Sequence, residues 1–315
     1  MRRFIVLLLI SGCLAAAPGE EISIANWPHG YKSAVVATFD TEVASSKQLE
    51  DITAVLSSKN ANATFFVVAG YFQKNPQDLE VIKKYEVASL GWIQKDWANV
   101  MSWEFQKSEI KKADEWLRSN GFNPVGFRAP FLRSDAATFK VLESLGYKYD
   151  SSQYPGFLPY RFGKIIEVPL SLNFDLYWDK SVVGYAAAPA YITFQKSYDE
   201  DGLFCFYTHT KRVNENLQDF SHFINFASSR NVWFASAGEV AEWWAQREKL
   251  ELQIRGNEVT VKNNGDSSVK GAAIKFKPKK KVAGAVAVQE YGDILYAVLP
   301  EIPAGREVKV RVEQT

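Results

Sequence analysis

Three short motifs in this chain end apolar runs on side chains that can carry charge or move a proton. Thr38-Phe39-Asp40 supplies a carboxylate, Gly126-Phe127-Arg128-Ala129-Pro130-Phe131 a guanidinium, and Tyr207-Thr208-His209 an imidazole. In α/β folds, sites gather at the carboxyl ends of strands. Taken singly, each residue has a plainer reading: Asp40 as a helix N-cap, Arg128 in a surface ion pair, His209 as a hydrogen-bonded loop residue. Together they mark a site of proton-transfer chemistry without naming its reaction.

The elements that must position these groups follow from hydrophobic periodicity. Short β-branched or aromatic runs at 34–39, 63–68, 125–128, 148–150, 165–168, 203–208 and 232–236 predict strands. Helical spacing predicts helices over 48–59, 76–85, 102–120, 134–145, 214–229 and 237–246. In the third of these, Phe105, Ile110, Ala113, Trp116 and Leu117 form the apolar stripe, and Gly121 closes the helix. The alternation makes an α/β architecture. After Lys249 the texture becomes short period-two runs separated by turns such as Gly256-Asn257 and Pro303-Ala304-Gly305. That is the pattern of a small all-β sandwich. The predicted organisation is a leader over 1–20, an α/β domain over 21–247 and a β-sandwich over 248–315. The sandwich could be a stalk, a sugar-binding module or a packing partner.

The chain has 315 residues, is 47% hydrophobic and carries a net charge of +1. That composition supports a large core and disfavours a nucleic-acid partner. The basic run Lys277, Lys279, Lys280 and Lys281 around Pro278 reads as a solvated turn. Met1-Arg2-Arg3 followed by the apolar stretch from Phe4 to Ile10 reads as an export signal, too short to remain as a membrane-spanning helix. Ile10-Ser11-Gly12-Cys13 resembles the lipobox of exported lipoproteins, in which the Cys is lipidated and becomes the first mature residue. The alternative is cleavage near Ala15-Ala16-Ala17 and release, although Pro18 is a poor residue after such a cut. Only Cys13 and Cys205 occur, so lipidation of Cys13 leaves no intramolecular disulfide.

The order of segments between about Ile22 and Trp244 resembles the polysaccharide deacetylase family, or NodB-homology domain. Ala37-Thr38-Phe39-Asp40 is similar to its opening T-F-D-D, and Ala63-Thr64-Phe65-Phe66-Val67 to its A-T-F-F-V strand. The segment from Glu86 to Gln94 occupies the place of E-I-A-S-H-G-Y-T-H. Arg128-Ala129-Pro130-Phe131, Asp150-Ser151-Ser152 and the run from Trp233 to Glu239 match the later motifs in order. The resemblance implies a distorted (β/α) barrel. It also implies a base at Asp40, oriented by Arg128, and a general acid at His209. Family members hold a divalent metal such as zinc through the second Asp of T-F-D-D and both His of H-x-x-x-H.

Those three metal positions here read Thr41, Leu90 and Gln94. Leu has no donor atom, and a neutral hydroxyl and an amide oxygen are weak ligands for zinc-like ions. A bound zinc lowers the pKa of its water from 15.7 to about 7 and polarises the scissile carbonyl. An ordinary carboxylate acting on free water replaces neither effect. Glu42, with Asp40 and His209, is the one rescue set in view; its plain reading is a solvated loop carboxylate. No resident cofactor is therefore expected. The leading expectation is a lipid-anchored, exported pseudoenzyme that binds N-acetylated polysaccharide, with Trp92, Trp97, Trp103, Tyr154 and Trp178 as candidates to stack on sugar or to pack the core. An active hydrolase with a rebuilt site, and a structural envelope protein presenting the C-terminal domain, are the alternatives.

Overall fold

The computed structural model describes residues 20–96, 102–178 and 188–313. The leader, Cys13 and Trp97 lie outside them. Two compact units divide near residues 30 and 246, and each is treated by itself.

The larger unit is built on a curled, mostly parallel sheet. In chain order after a first strand, β1 (Glu21–Ile24), its strands are β2 (Ser33–Thr41), β3 (Ala63–Val67), β4 (Glu86–Ser89), β5 (Gly126–Phe127), β6 (Tyr149–Asp150), β7 (Tyr160–Phe162), β8 (Ile165–Glu167), β9 (Leu172–Asn173), β10 (Leu203–His209) and β11 (Val232–Phe234). They lie in the order β7-β8-β6-β5-β4-β3-β2-β10-β9, with β11 also against β2 and only β7 antiparallel. All nine residues of β2 are buried, as expected of a central parallel strand covered on both faces. The helices are α1 (Ser46–Ser58), α2 (Trp103–Ser119), α3 (Ala136–Leu145), α4 (Asp175–Trp178), α5 (Ala188–Asp199), α6 (Thr210–Glu215), α7 (Leu217–Ser228) and α8 (Ala237–Arg247). This is the expected (β/α) barrel, opened into a half-barrel.

Local chemistry explains most boundaries. Ser45 and Gln48 form a capping box on α1, and Asp135 and Thr138 form another on α3, which Gly146 ends in the left-handed region at φ 80°. The start of α8 is capped from the sheet. Thr64 accepts from the Ala237 N–H at 2.8 Å, and Glu86 accepts from the Gly238 N–H at 2.8 Å and the Thr64 hydroxyl at 2.7 Å. A Cβ at position 238 would lie 2.3 Å from the Glu86 carboxylate and would have to displace it from these hydrogen bonds. The family-like residues Glu86, Thr64 and Gly238 are thus structural, at the strand ends away from Asp40.

Several expectations shift. The 76–85 segment winds only as a short 3-10 stretch over Pro76–Ile82, and 214–229 is broken at Asn216 into α6 and α7. Within α2, Phe105 and Trp116 are half-buried, whereas Gln106 is fully buried and accepts from Thr138 at 2.7 Å. Strands β4, β7 and β9 are additional to the expected set.

The smaller unit contains β1 with β12 (Leu250–Arg255), β13 (Glu258–Asn263), β14 (Ala273–Lys277), β15 (Val282–Ala283), β16 (Ala287–Tyr291), β17 (Ile294–Val298) and β18 (Glu307–Val312). They form two four-stranded antiparallel sheets, β1-β14-β17-β16 and β12-β13-β18-β15. The stretch from Val282 to Tyr291 is divided between the two sheets as β15 and β16. Glu21–Ile24, expected within the barrel domain, instead pairs with β14 in register Glu21↔Lys277 to Ile24↔Ile274. That edge of β14 has backbone donors and acceptors that need a partner strand, and the chain supplies one from some 250 residues earlier in sequence. Among the described residues, no helix is long and apolar enough to cross a membrane.

Candidate active site and its altered metal positions

The carboxyl ends of β2, β5 and β10 bring the three singled-out groups together. β10 pairs with β2 in parallel, with His209 directly opposite Asp40. Arg128 follows β5 and is fully buried. Its Nη1 donates to Asp40 Oδ1 at 2.6 Å, its Nε to the Ser151 carbonyl at 2.8 Å and its Nη2 to Ser151 Oγ at 3.0 Å. The guanidinium lies 4.0 Å from the centre of the Phe66 ring. A buried guanidinium satisfied on three sides and stacked on an aromatic face fixes the Asp40 carboxylate.

His209 is held by a residue that no motif signalled. Its Nδ1 meets Asp175 Oδ2, while Asp175 Oδ1 accepts from the Thr208 hydroxyl at 2.6 Å and the His209 N–H at 3.2 Å. The Asp175 hydrogen bond, helped by the nearby Asp40 and Glu42 charges against the opposing effect of burial, lifts the imidazole pKa to about 9. The ring is therefore a cation through neutral pH. Asp175 opens the one-turn helix α4 after the two-residue strand β9, and neither element has a readable period.

The metal positions have taken other partners. Thr41 turns its hydroxyl onto the Phe39 carbonyl at 3.2 Å, and Leu90 is buried. Gln94 Nε2 donates to Glu42 Oε1 at 2.7 Å, and that oxygen also faces His209 Nε2 at 3.7 Å. The donor set does not fit a divalent metal. Leu90 has no donor atom, the Thr41 hydroxyl is turned onto the Phe39 carbonyl, and Gln94 offers only a neutral amide oxygen, which is buried without a partner. Among the described residues, no group of three His, Cys, Asp or Glu side chains is placed to share an ion, so the set Asp40, Glu42 and His209 does not assemble as ligands. Glu42, Asp175 and His209, with Lys211, Arg212 and Glu215, line a cleft of about 550 Å³.

Of the candidate stacking aromatics, Trp92 and Trp178 are buried, packing against Trp116 and Phe174 respectively, and Trp103 is half-buried beneath Lys107. Tyr154 is exposed, and so is Phe131, which sequence reasoning read only as part of the Arg motif. Phe131 and Leu132 both have φ of 58°, a left-handed conformation that costs a non-glycine residue energy.

Behind Arg128 lies a second carboxyl pair. Asp150 and Glu167 face each other across β6 and β8, and both are fully buried. Glu167 Oε1 accepts from the Ser152 and Gln153 N–H groups at 3.1 and 2.9 Å, and Asp150 Oδ1 accepts from Ser152 Oγ at 2.9 Å. Ser152 Oγ accepts in turn from the Ala129 N–H at 2.8 Å, so the pair braces the turn that follows Arg128. Glu167 Oε2 has no donor, an arrangement that a proton shared with Asp150 satisfies. Burial lifts Asp150 to about 6 and Glu167 well above the carboxylate range, with their mutual repulsion adding to the latter. Carboxyls raised on folding bind more protons folded than unfolded, so stability from this pair falls as pH rises from about 4 through 6 and beyond. Glu167→Gln places a permanent donor where the shared proton sits. It is expected to flatten this fall, gaining on the order of 2 kcal/mol relative to wild type between acidic and mildly alkaline pH. Urea unfolding across that range is the check, and parallel curves for the two proteins would show that no proton is shared.

A curled, mostly parallel sheet with a carboxylate, a guanidinium and an imidazole at the carboxyl ends of its strands places this unit among the deacetylase-type (β/α) barrels. The polysaccharide deacetylase family model matches residues 29–149. Similar solved structures include a polysaccharide deacetylase from Mycobacterium smegmatis (22% identity, 69% of this chain and 91% of that one, TM-score 0.61). A second is a polysaccharide deacetylase from Pseudomonas aeruginosa PAO1 (18% identity, 70% and 93%, TM-score 0.60). A third is Puue allantoinase (18% identity, 70% and 93%, TM-score 0.59). At these identities the likeness establishes the fold alone. A comparison with curated protein sequences returns no match.

Proposed function

We propose that this protein is an exported, membrane-anchored polysaccharide deacetylase-like protein that binds an N-acetylated cell-envelope glycan and has lost metal-dependent hydrolysis. The observation that carries the reading is what the metal positions do instead: Gln94 donates to Glu42, the Thr41 hydroxyl turns onto the Phe39 carbonyl, and Leu90 is buried. Three neutral side chains, Thr41, Leu90 and Gln94, stand where a metal's ligands would be. The cleft lined by Glu42, Asp175 and His209 and the exposed Tyr154 and Phe131 remain as polar and aromatic surface of the kind sugars use. Export and anchoring rest on the Arg2-Arg3 leader and the lipobox ending at Cys13.

The test is binding of N-acetylglucosamine oligomers and of insoluble peptidoglycan, with and without chelator, while acetate release is followed in parallel. Chelator-independent binding without acetate is expected. Acetate release abolished by chelator would replace this reading with that of an active hydrolase whose ligands have been rebuilt. Neither binding nor release would favour a structural envelope protein.

A further inference from the structure

Tyr207 stands two residues before His209 on β10, so alternation along the strand sends both side chains to one face of the sheet. Parallel pairing sets Tyr207 opposite Thr38 and His209 opposite Asp40, which puts the Tyr207 ring on the same face as the carboxylate. The ring centre lies 5.7 Å from the Arg128 guanidinium carbon. Packing beside Arg128 needs only an aromatic ring, and phenylalanine serves that purpose at Phe66. The hydroxyl needs another reason. It makes no hydrogen bond among the described residues, although the side chain is half-buried. Polar groups drawn out of bulk water are normally met by a partner. Burial first, and then the Asp40 charge against that of Arg128, pushes the phenol up to about 12, so it stays a neutral O–H donor well beyond neutral pH.

Acceptors at these strand ends outnumber free donors. Asp40 gives one oxygen to Arg128 and keeps Oδ2 without a donor among the described residues, on a side chain 7% exposed, and Glu42 and Asp175 add two further carboxylates. On the donor side, Arg128 is fully buried and bound to Asp40 and Ser151, Gln94 Nε2 donates to Glu42, and His209 is held by Asp175 with its Nε2 toward Glu42. The Tyr207 hydroxyl is left as a neutral donor without an acceptor. Sugar hydroxyls can give their protons to the carboxylates, whereas the carbonyl oxygen of an N-acetyl group can only accept. We infer that Tyr207 is a specificity-determining residue whose hydroxyl donates to the acetyl carbonyl of the bound glycan. The inference rests on the proposed binding of an N-acetylated glycan and names the side chain that reads the acetyl group.

The test is Tyr207→Phe in the full-length chain, which keeps the ring beside Arg128, removes the O–H and breaks no hydrogen bond among the described residues. Binding of the N-acetylglucosamine tetramer and of the glucosamine tetramer is measured by titration calorimetry for wild type and variant, with a urea unfolding curve for each. The variant is expected to bind the acetylated tetramer about tenfold more weakly. Its affinity for the glucosamine tetramer, which offers no carbonyl, should equal that of wild type, and the urea midpoint should not move. An equal loss for both oligomers, or a loss for neither, overturns the acetyl contact and leaves glycan binding standing. A lower urea midpoint in the variant overturns it as well, by showing that the hydroxyl serves the fold. Failure of the wild type to bind the acetylated tetramer removes the glycan reading, and the contact with it.

Discussion

Arg128→Met is expected to lower folding stability by on the order of 3–5 kcal/mol. The guanidinium is fully buried, and its removal strands Asp40 in the interior with its charge-assisted donor gone. It also leaves Ser151 without two of its donors and Phe66 without the cation over its face. A buried ion pair is a weak source of net stability, but breaking one side of it is costly. The double variant Asp40→Asn/Arg128→Met removes the stranded charge and should therefore regain a large part of the loss. Urea denaturation of wild type and the three variants, including Asp40→Asn alone, closes the cycle. If Arg128→Met costs under about 1 kcal/mol, the pair is open to water and the packing described here is wrong.

The triple substitution Thr41→Asp, Leu90→His and Gln94→His is expected to create affinity for one zinc or cobalt ion per chain, micromolar or tighter. Wild type should show none that exceeds surface binding. The expectation rests on backbone placement: position 41 ends β2, position 90 follows β4, and the parallel strand β3 lies between them. Replacing Gln94 also frees Glu42 from its hydrogen bond. Equilibrium dialysis and the visible spectrum of the cobalt form report on binding without any assay of activity. Hydrolysis need not follow, because the groups that orient ligand imidazoles in a working site must also be present. A folded triple variant that binds no ion would mean that positions 41, 90 and 94 do not converge.

Much of this site was legible before any coordinates, for definite reasons. Asp40 and His209 end apolar runs long enough to be read as buried strands, and the fold's parallel order then sets the two ends side by side. The replacement of donor atoms at Thr41, Leu90 and Gln94 is a matter of residue identity, so it needs no geometry. Asp175 escaped because its supports, β9 and α4, are too short for any periodicity to show, and Glu167 because an acid inside an apolar strand gives no hint of the acid it faces.

The sequence by itself determined the alternation of strands and helices, the chemical class of the strand-end residues and the loss of metal donors, since each of these is local or compositional. Tertiary structure alone decided where the freed side chains turned. Gln94 finds Glu42 from 52 residues away, and the Asp175 carboxylate, 34 residues away in sequence, favours the protonated form of His209. It also decided that Glu21–Ile24 completes a sheet of the C-terminal unit, because the unpaired edge of β14 is visible only once its other neighbours have folded. Hydrophobic period fixes which face a segment buries, but partners across long loops are chosen by unsatisfied hydrogen-bonding groups and charges meeting in three dimensions.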